Sequence, residues 1–245
     1  MKSVLPITAT LLLLLLSPCQ AGFFDDLSRT LLPPTQQSGS SLDNTTMVKG
    51  LKEALATGTE RAVTTVSRPD GYLGNQLIKI LLPERLQQAA NLLGKLGYQQ
   101  QVDELVLSMN RAAEKAAPQA AGFFGDAIRQ MTLEDAKGLL QGGDTAATRY
   151  FEEKTRSRLF EAFKPSVSAS MDKVGTARAY KEMIGKYEAL PLASLAGKPS
   201  LDLDSYVTDQ ALDGLFKMVA EEEKKIRTNP AARTTDLLRT VFGSK

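Results

Sequence analysis

Histidine and tryptophan are absent from the 245-residue chain, and cysteine occurs once, at Cys19. Without histidine there is no imidazole base, no Ser-His-Asp or Cys-His nucleophile pair, and no histidine-bearing zinc or haem site. The 30 basic and 28 acidic residues are interspersed, unlike the basic faces of nucleic-acid-binding domains. These absences exclude much of familiar enzymology and predict that nucleic acid is not a partner.

The first 21 residues have the pattern of a secretory signal peptide. One cation precedes an apolar stretch from about Val4 to Leu16, and residues 19–21 match a small-x-Ala cleavage pattern. The stretch is shorter than the ~20 residues that span a bilayer, so we expect cleavage after Ala21 rather than a retained anchor. Lipidation of Cys19 is the alternative, which the ring of Pro18 disfavours. The sequence therefore predicts an exported, periplasmic protein whose mature chain has no transmembrane span.

Composition changes along the rest of the chain. Residues 22–43 are predicted to be a flexible leader, because Pro33 to Ser41 is polar and rich in proline, glycine and serine. From Asn44 onward, apolar residues recur at three- and four-residue spacing with breaks at glycine or proline. The pattern predicts a single irregular all-α domain over residues 44–245, with about eight to ten helices. A loop at 191–204 is the best internal boundary, and a separate C-terminal helical hairpin is the alternative.

Local signals predict where several helices begin and end. Residues 77–82 fit a short buried helix or a strand equally well. Thr132 and Asp204 are expected to cap the helices that follow them. Pro165 is expected to end the helix that begins near Thr145. The charge run at 221–225 is expected to form a solvated helix face.

Polar residues beside an apolar helix stripe are the first candidate ligand contacts. Asn110 and Glu114 are four residues apart on the flank of such a stripe, and Arg111 lies between them. They could point into a partly buried groove. The alternative is a structural role, with a hydrogen bond across a helix contact and a surface ion pair.

A second set of candidate contacts is cationic. Lys154 and Arg158 continue the helix face begun by Tyr150, which places two cations where apolar residues are expected. They would pair with Glu114 or a bound anion, or remain solvated if the helix turns there. The full set of predicted ligand-binding residues is Asn110, Arg111, Glu114, Tyr150, Lys154, Arg158 and Arg227. The sequence predicts no catalytic residue, metal ligand or cofactor.

Several stretches of the chain resemble one protein family. They are Asn110-Arg111-Ala112-Ala113-Glu114-Lys115-Ala116-Ala117-Pro118, Ala211-Leu212-Asp213-Gly214-Leu215-Phe216 and, among others, residues 127–132, 146–151 and 222–233. The family is one of exported bacterial proteins, domain of unknown function 4197, and the resemblance extends from about Leu51 to Phe242. It implies a signal peptide, a periplasmic address and a helical domain. It implies no activity, substrate or cofactor.

Three functional hypotheses follow. The leading one is a non-enzymatic binding or interaction protein of the bacterial envelope, with a helical groove for a small apolar or amphiphilic ligand. The alternative is a structural module that docks on another envelope protein. The third is a histidine-independent hydrolase or lyase, with Glu114 as base and Arg111 or Arg227 as electrophile.

Overall fold

The computed structural model describes residues 44–189 and 202–233, together with residues 235, 236 and 239. Every regular element in this part of the chain is helical. The all-α prediction is therefore confirmed, and the described residues contain eight α-helices, the lower end of the predicted range. The helices are α1 (Asn44–Val66), α2 (Glu84–Lys95), α3 (Gln99–Ala116), α4 (Ala120–Gln130), α5 (Leu133–Gln141), α6 (Ala146–Val174), α7 (Thr176–Glu188) and α8 (Leu203–Thr228), with 3₁₀ turns at Ala117–Gln119 and Pro230–Ala232.

Several predictions lie outside the described residues. These are the signal peptide at 1–21, the leader at 22–43 and all but the last three residues of the boundary at 191–204.

The predicted start of α5 is confirmed. The Thr132 hydroxyl accepts a hydrogen bond from the Asp135 N–H (3.1 Å), and the Asp135 carboxylate accepts one from the Thr132 N–H (2.9 Å). This reciprocal capping box satisfies two main-chain donors that a helix start leaves open. Between α6 and α7, Gly175 has a φ of 82°, a left-handed conformation that glycine adopts without a Cβ clash.

The cap of α8 is Asp202, so the prediction of Asp204 was wrong. The helix begins at Leu203, and the Asp202 carboxylate accepts a hydrogen bond from the Ser205 N–H (3.0 Å). Bonds from Ser205 and the nearby Lys164 cation, which lies 3.3 Å away, lower the pKa of Asp202 to about 2. Asp204 occupies the first turn instead.

The prediction that Pro165 ends a helix was also wrong. Helix α6 runs without interruption from Ala146 to Val174 and contains Pro165. A proline in a helix interior removes one hydrogen bond and costs ~3 kcal/mol. Phe163 before it and Val167 after it are both fully buried, and this packing on either side keeps the helix continuous.

The core forms where α6 packs against α3, α4 and α8. At its centre the Phe151 ring lies 5.3 Å from the Phe124 ring, which in turn lies 5.9 Å from the Phe216 ring, centroid to centroid. Tilted and edge-on pairs at such distances are the favoured aromatic geometry. Helix α1 approaches α8 at Gly58, where an added Cβ would lie 3.5 Å from Ile226 Cδ1.

Residues 67–83 connect α1 to α2 and are called here the pinned segment. The sequence left residues 77–82, at the end of this segment, undecided between helix and strand. They form neither element, because residues 79–83 have no regular hydrogen-bonded structure. Burial nevertheless alternates as in a strand. Three alternate side chains are buried: Ile78, Ile80 and Leu82. Between them Lys79 is half-buried and Leu81 is 56% exposed.

Candidate functional site

Asn110 holds the pinned segment against α3. Its side chain is fully buried, its Oδ1 accepts from the Ile80 N–H (2.9 Å), and its Nδ2 donates to the Ile80 C=O (2.8 Å). Nδ2 also donates to the Val106 C=O (2.8 Å). The two bonds to Ile80 satisfy backbone groups that the irregular segment would otherwise leave unpaired. This is the structural role given as the alternative for Asn110.

Glu114 holds the beginning of the same segment. Its buried carboxylate accepts from the N–H groups of Tyr72 (3.1 Å) and Leu73 (3.4 Å) through Oε1. Oε2 accepts from Arg111 (2.7 Å), and Arg111 also bonds Asp70 (2.7 Å). The hydrogen bond that Arg111 donates to Glu114 raises the pKa of Arg111 above its ordinary value, and the bond to Asp70 adds to this rise. A buried carboxylate needs such partners, because an unpaired charge is costly there.

Tyr72 connects this cluster to α8. The side chain is fully buried, and its hydroxyl donates to the Ala211 C=O (2.6 Å). Burial, with a contribution from Glu114, raises the pKa of the Tyr72 hydroxyl above its ordinary value. Gly214 makes room for the ring, since a Cβ there would lie 2.7 Å from Tyr72 Cε1. The pinned segment is thus fixed to both α3 and α8.

Lys154 and Arg158 lie on the outer side of α6, and Tyr150 is half-buried and packs against the core. Lys154 and Arg158 are exposed, and the inward positions are taken by Phe151, Thr155 and Leu159. Lys154 Nζ lies 5.8 Å from the Tyr150 ring centroid, and Arg158 donates to the Lys154 C=O (3.0 Å). The sequence left these two cations to pair with Glu114, to pair with a bound anion or to remain solvated. In the structure both are solvated.

Arg227 belongs to a buried ion pair at the start of α6. It donates to Glu223 through Nε (2.9 Å) and Nη2 (2.8 Å), and to the Leu139 C=O (2.8 Å). The Glu223 carboxylate also accepts from the N–H groups of Ala147 (2.9 Å) and Thr148 (2.8 Å). A carboxylate at a helix N-terminus is stabilised by those open donors and by the helix dipole. The prediction of a solvated face at 221–225 was therefore wrong for Glu223, and also for Glu222, which is buried.

The seven predicted residues therefore fall into three separate groups. Asn110, Arg111 and Glu114 hold the pinned segment, Tyr150, Lys154 and Arg158 lie along one side of α6, and Arg227 lies between α5, α6 and α8. A mostly apolar cavity of about 20 Å³ adjoins Arg227. It is large enough for about one water molecule.

Three open grooves lie side by side around α3 and the pinned segment. One, of about 430 Å³, lies between α3 and α7 and is lined by Arg111 and Arg178. The second, of about 510 Å³, lies between α3 and the pinned segment and shares Glu104 and Leu107 with the first. The third, of about 420 Å³, lies between the pinned segment and α8 and shares Lys79 with the second.

These joined grooves are called here the grooved face. Two large apolar side chains are exposed along it, Leu81 (56%) and Leu107 (40%). Of the predicted site residues only Arg111 lines it. The sequence reasoning missed both leucines. A strand-like alternation over 78–82 would have placed Leu81 outside, and the helix period from Leu105 and Met109, both buried, would have placed Leu107 outside.

No helix in residues 44–189 or 202–233 is both long and apolar enough to cross a membrane. Across the same residues, no cluster of three or more acidic side chains is arranged to hold a metal ion. The helices, the pinned segment and the grooves define an all-α protein with a grooved outer face. The model of the family described as Protein of unknown function (DUF4197) matches residues 41–243, and the chain belongs to this family. Comparisons with curated proteins and with solved structures found no match.

Proposed function

We propose that the protein is a non-enzymatic interaction protein of the bacterial envelope, and that it binds another polypeptide through the grooved face. The observation that supports this is that neighbouring grooves share lining residues: Glu104 and Leu107 line the first and second, and Lys79 lines the second and third. Exposed Leu81 and Leu107 are flanked along the grooves by charged side chains, among them Lys79, Glu104 and Arg111. Apolar side chains rimmed by polar ones are typical of protein interaction surfaces.

A small apolar ligand is supported less well. Sites for such ligands are concave, mostly apolar, and occupy roughly 300–1,000 Å³. The mostly apolar cavity beside Arg227 is only about 20 Å³, and the grooves that reach 420 Å³ or more are open and partly polar. An elongated polypeptide fits a chain of open grooves better than a compact ligand does.

The hydrolase hypothesis is also disfavoured by the geometry. Glu114, the predicted base, is buried and bonded to two main-chain N–H groups and to Arg111. Arg227, one of the predicted electrophiles, is bonded to Glu223 and to a helix carbonyl. Catalytic use of these groups would break the contacts that hold the pinned segment and the start of α6.

The envelope location rests on the sequence of the first 21 residues. Export with cleavage after Ala21 gives a mature chain that begins at Gly22. Cell fractionation followed by N-terminal sequencing tests this directly. A periplasmic chain starting at Gly22 supports the proposal, whereas a cytoplasmic chain that keeps Met1 contradicts it.

Site-specific photo-crosslinking in cells tests the binding face. A photoreactive residue replaces Leu107 or Leu81 on the grooved face, or Leu96 as the matched control. Leu96 is 51% exposed and lines none of the three grooves. We expect discrete crosslinked bands from positions 107 and 81, absent at 96 and lost when the position-81 probe is combined with Leu107→Asp. The same bands at all three positions, or none at 81 and 107, would contradict the proposal.

A further inference from the structure

The outer edge of the pinned segment has the hydrogen-bonding pattern of an unpaired strand. Asn110 bonds both the N–H and the C=O of Ile80, which requires an extended backbone at Ile80 with both groups on one side. In a planar trans peptide the C=O and N–H point in opposite directions. The C=O of Lys79 and the N–H of Leu81 therefore point away from Asn110.

Neither of these two outward groups has a hydrogen-bond partner within the described part of the chain. The Leu81 C=O, on the same side, accepts from the Tyr206 hydroxyl (2.8 Å). Because Tyr206 lines the groove between the pinned segment and α8, the outward edge faces that groove. Leu81 and Lys79 line the same groove.

We infer that this edge binds an extended polypeptide by main-chain hydrogen bonding, as an added strand. In an antiparallel pair the two outward groups would bond the residues that flank the one opposite Ile80. In a parallel pair, one residue donates its N–H to the C=O before the residue opposite it and accepts from the N–H after that residue. The Lys79 C=O and Leu81 N–H are spaced for one such residue opposite Ile80. Strand addition of this kind draws affinity from the main chain and specificity from alternate side chains.

The surroundings of the edge suit the same occupant. The exposed Leu81 side chain offers apolar contact to one side chain of the added strand. Gln210 lines the groove and carries an amide group that can bond a further stretch of main chain, while the Gln87 amide already donates to the Leu82 C=O (3.1 Å). The Asn110 amide fixes the edge beforehand, which lowers the conformational cost of binding. The inference rests on the proposed function, since it concerns part of the same face.

The test uses short random linear peptides displayed on phage and selected against the purified protein. The best enriched peptide is then synthesised, and amide hydrogen exchange is followed by NMR. We expect fast exchange at the Leu81 N–H in the free protein and at least about tenfold slower exchange with peptide bound. The Ile80 N–H, bonded to Asn110, is the internal control and exchanges slowly in both states.

Leu81→Pro removes the N–H in a second measurement. Proline favours an extended residue before it, as Ile80 already is, so the edge keeps its shape. We expect the Kd for the peptide to rise about tenfold or more. Leu81→Ala keeps the N–H and should raise Kd less.

The outcomes separate the two proposals. A peptide that binds the grooved face without slowing exchange at Leu81, or with equal Kd for Leu81→Pro, overturns strand addition but leaves the proposed function in place. A library that yields no peptide at this face overturns strand addition too, and the photo-crosslinking at Leu107 then decides the proposed function separately. The exchange measurement uses the unaltered protein, so it decides the question even where Leu81→Pro fails to fold.

Discussion

The Asn110 side chain takes the place that a neighbouring strand would occupy beside Ile80. Its amide bonds the Ile80 N–H at 2.9 Å and the Ile80 C=O at 2.8 Å, and both groups are buried. A single side chain therefore converts part of a loop into an extended edge with a fixed orientation. The grooved face depends on this contact, because the Lys79 and Leu81 side chains that line it adjoin Ile80.

Asn110→Asp should destabilise the protein strongly. The change keeps the size of the side chain but removes both Nδ2 bonds, and it places a carboxylate where two carbonyl groups lie. We expect a loss of about 2–4 kcal/mol in the free energy of unfolding. Urea unfolding measures this loss. Asn91→Asp, the same substitution at an exposed position of α2, should cost under about 0.5 kcal/mol, and an equal loss in both variants would contradict the role of Asn110.

Gly214→Ala should loosen the pinned segment from α8. The added Cβ would lie 2.7 Å from Tyr72 Cε1 and 3.1 Å from Ile78 Cβ, so the buried segment must shift. We expect a loss of about 1–3 kcal/mol by thermal or urea unfolding. Gly138→Ala in α5 meets nothing within 4 Å and should stabilise the protein by up to about 1 kcal/mol. A neutral Gly214→Ala would show that the ring packs elsewhere.

Glu223→Gln should weaken the junction of α6 and α8. The neutral amide leaves Arg227 without its closest charge partner, and its NH₂ group cannot accept the main-chain bonds at the start of α6. Removing one member of a buried pair is costly, and we expect a loss of about 2–4 kcal/mol. Glu221→Gln, two residues earlier and less buried, is the matched control and should cost under about 0.5 kcal/mol. Similar losses from both substitutions would contradict a specific role for Glu223.

The pKa of Asp202 should be measurable near 2 by carboxyl ¹³C NMR titration. The folded-state pKa of about 2 lies below the ordinary value of 3.8, mainly because the carboxylate accepts the Ser205 N–H. The stabilisation is thus fully present above pH 3.8 and is lost as the pH falls through about 2. The carboxylate is 60% exposed, so its contribution should be under about 1 kcal/mol. An unshifted pKa would mean that Asp202 does not cap α8.

The sequence predicted the helical fold and the cap at Thr132 because both depend on local periodicity and local hydrogen bonds. It placed Asn110 and Glu114 at the edge of a buried stripe, but their partners lie 30 and 42 residues away in sequence and could not be found from spacing. Glu223 was missed because a charge run looks solvated, although Val219 and Ile226 on the same face are buried. Pro165 was wrongly predicted to end a helix, because the burial of Phe163 and Val167 on either side of it outweighs the local cost of a proline in a helix.

The most direct test of the binding role is native mass spectrometry of the protein purified gently from a bacterial envelope, beside Leu107→Asp and Leu96→Asp. Both substitutions put a charge on an exposed leucine, and only the first lies on the grooved face. We predict a polypeptide adduct that the unaltered protein and Leu96→Asp retain and that Leu107→Asp loses. A small-molecule adduct unaffected by Leu107→Asp, or a polypeptide adduct equally present in all three proteins, would contradict the account.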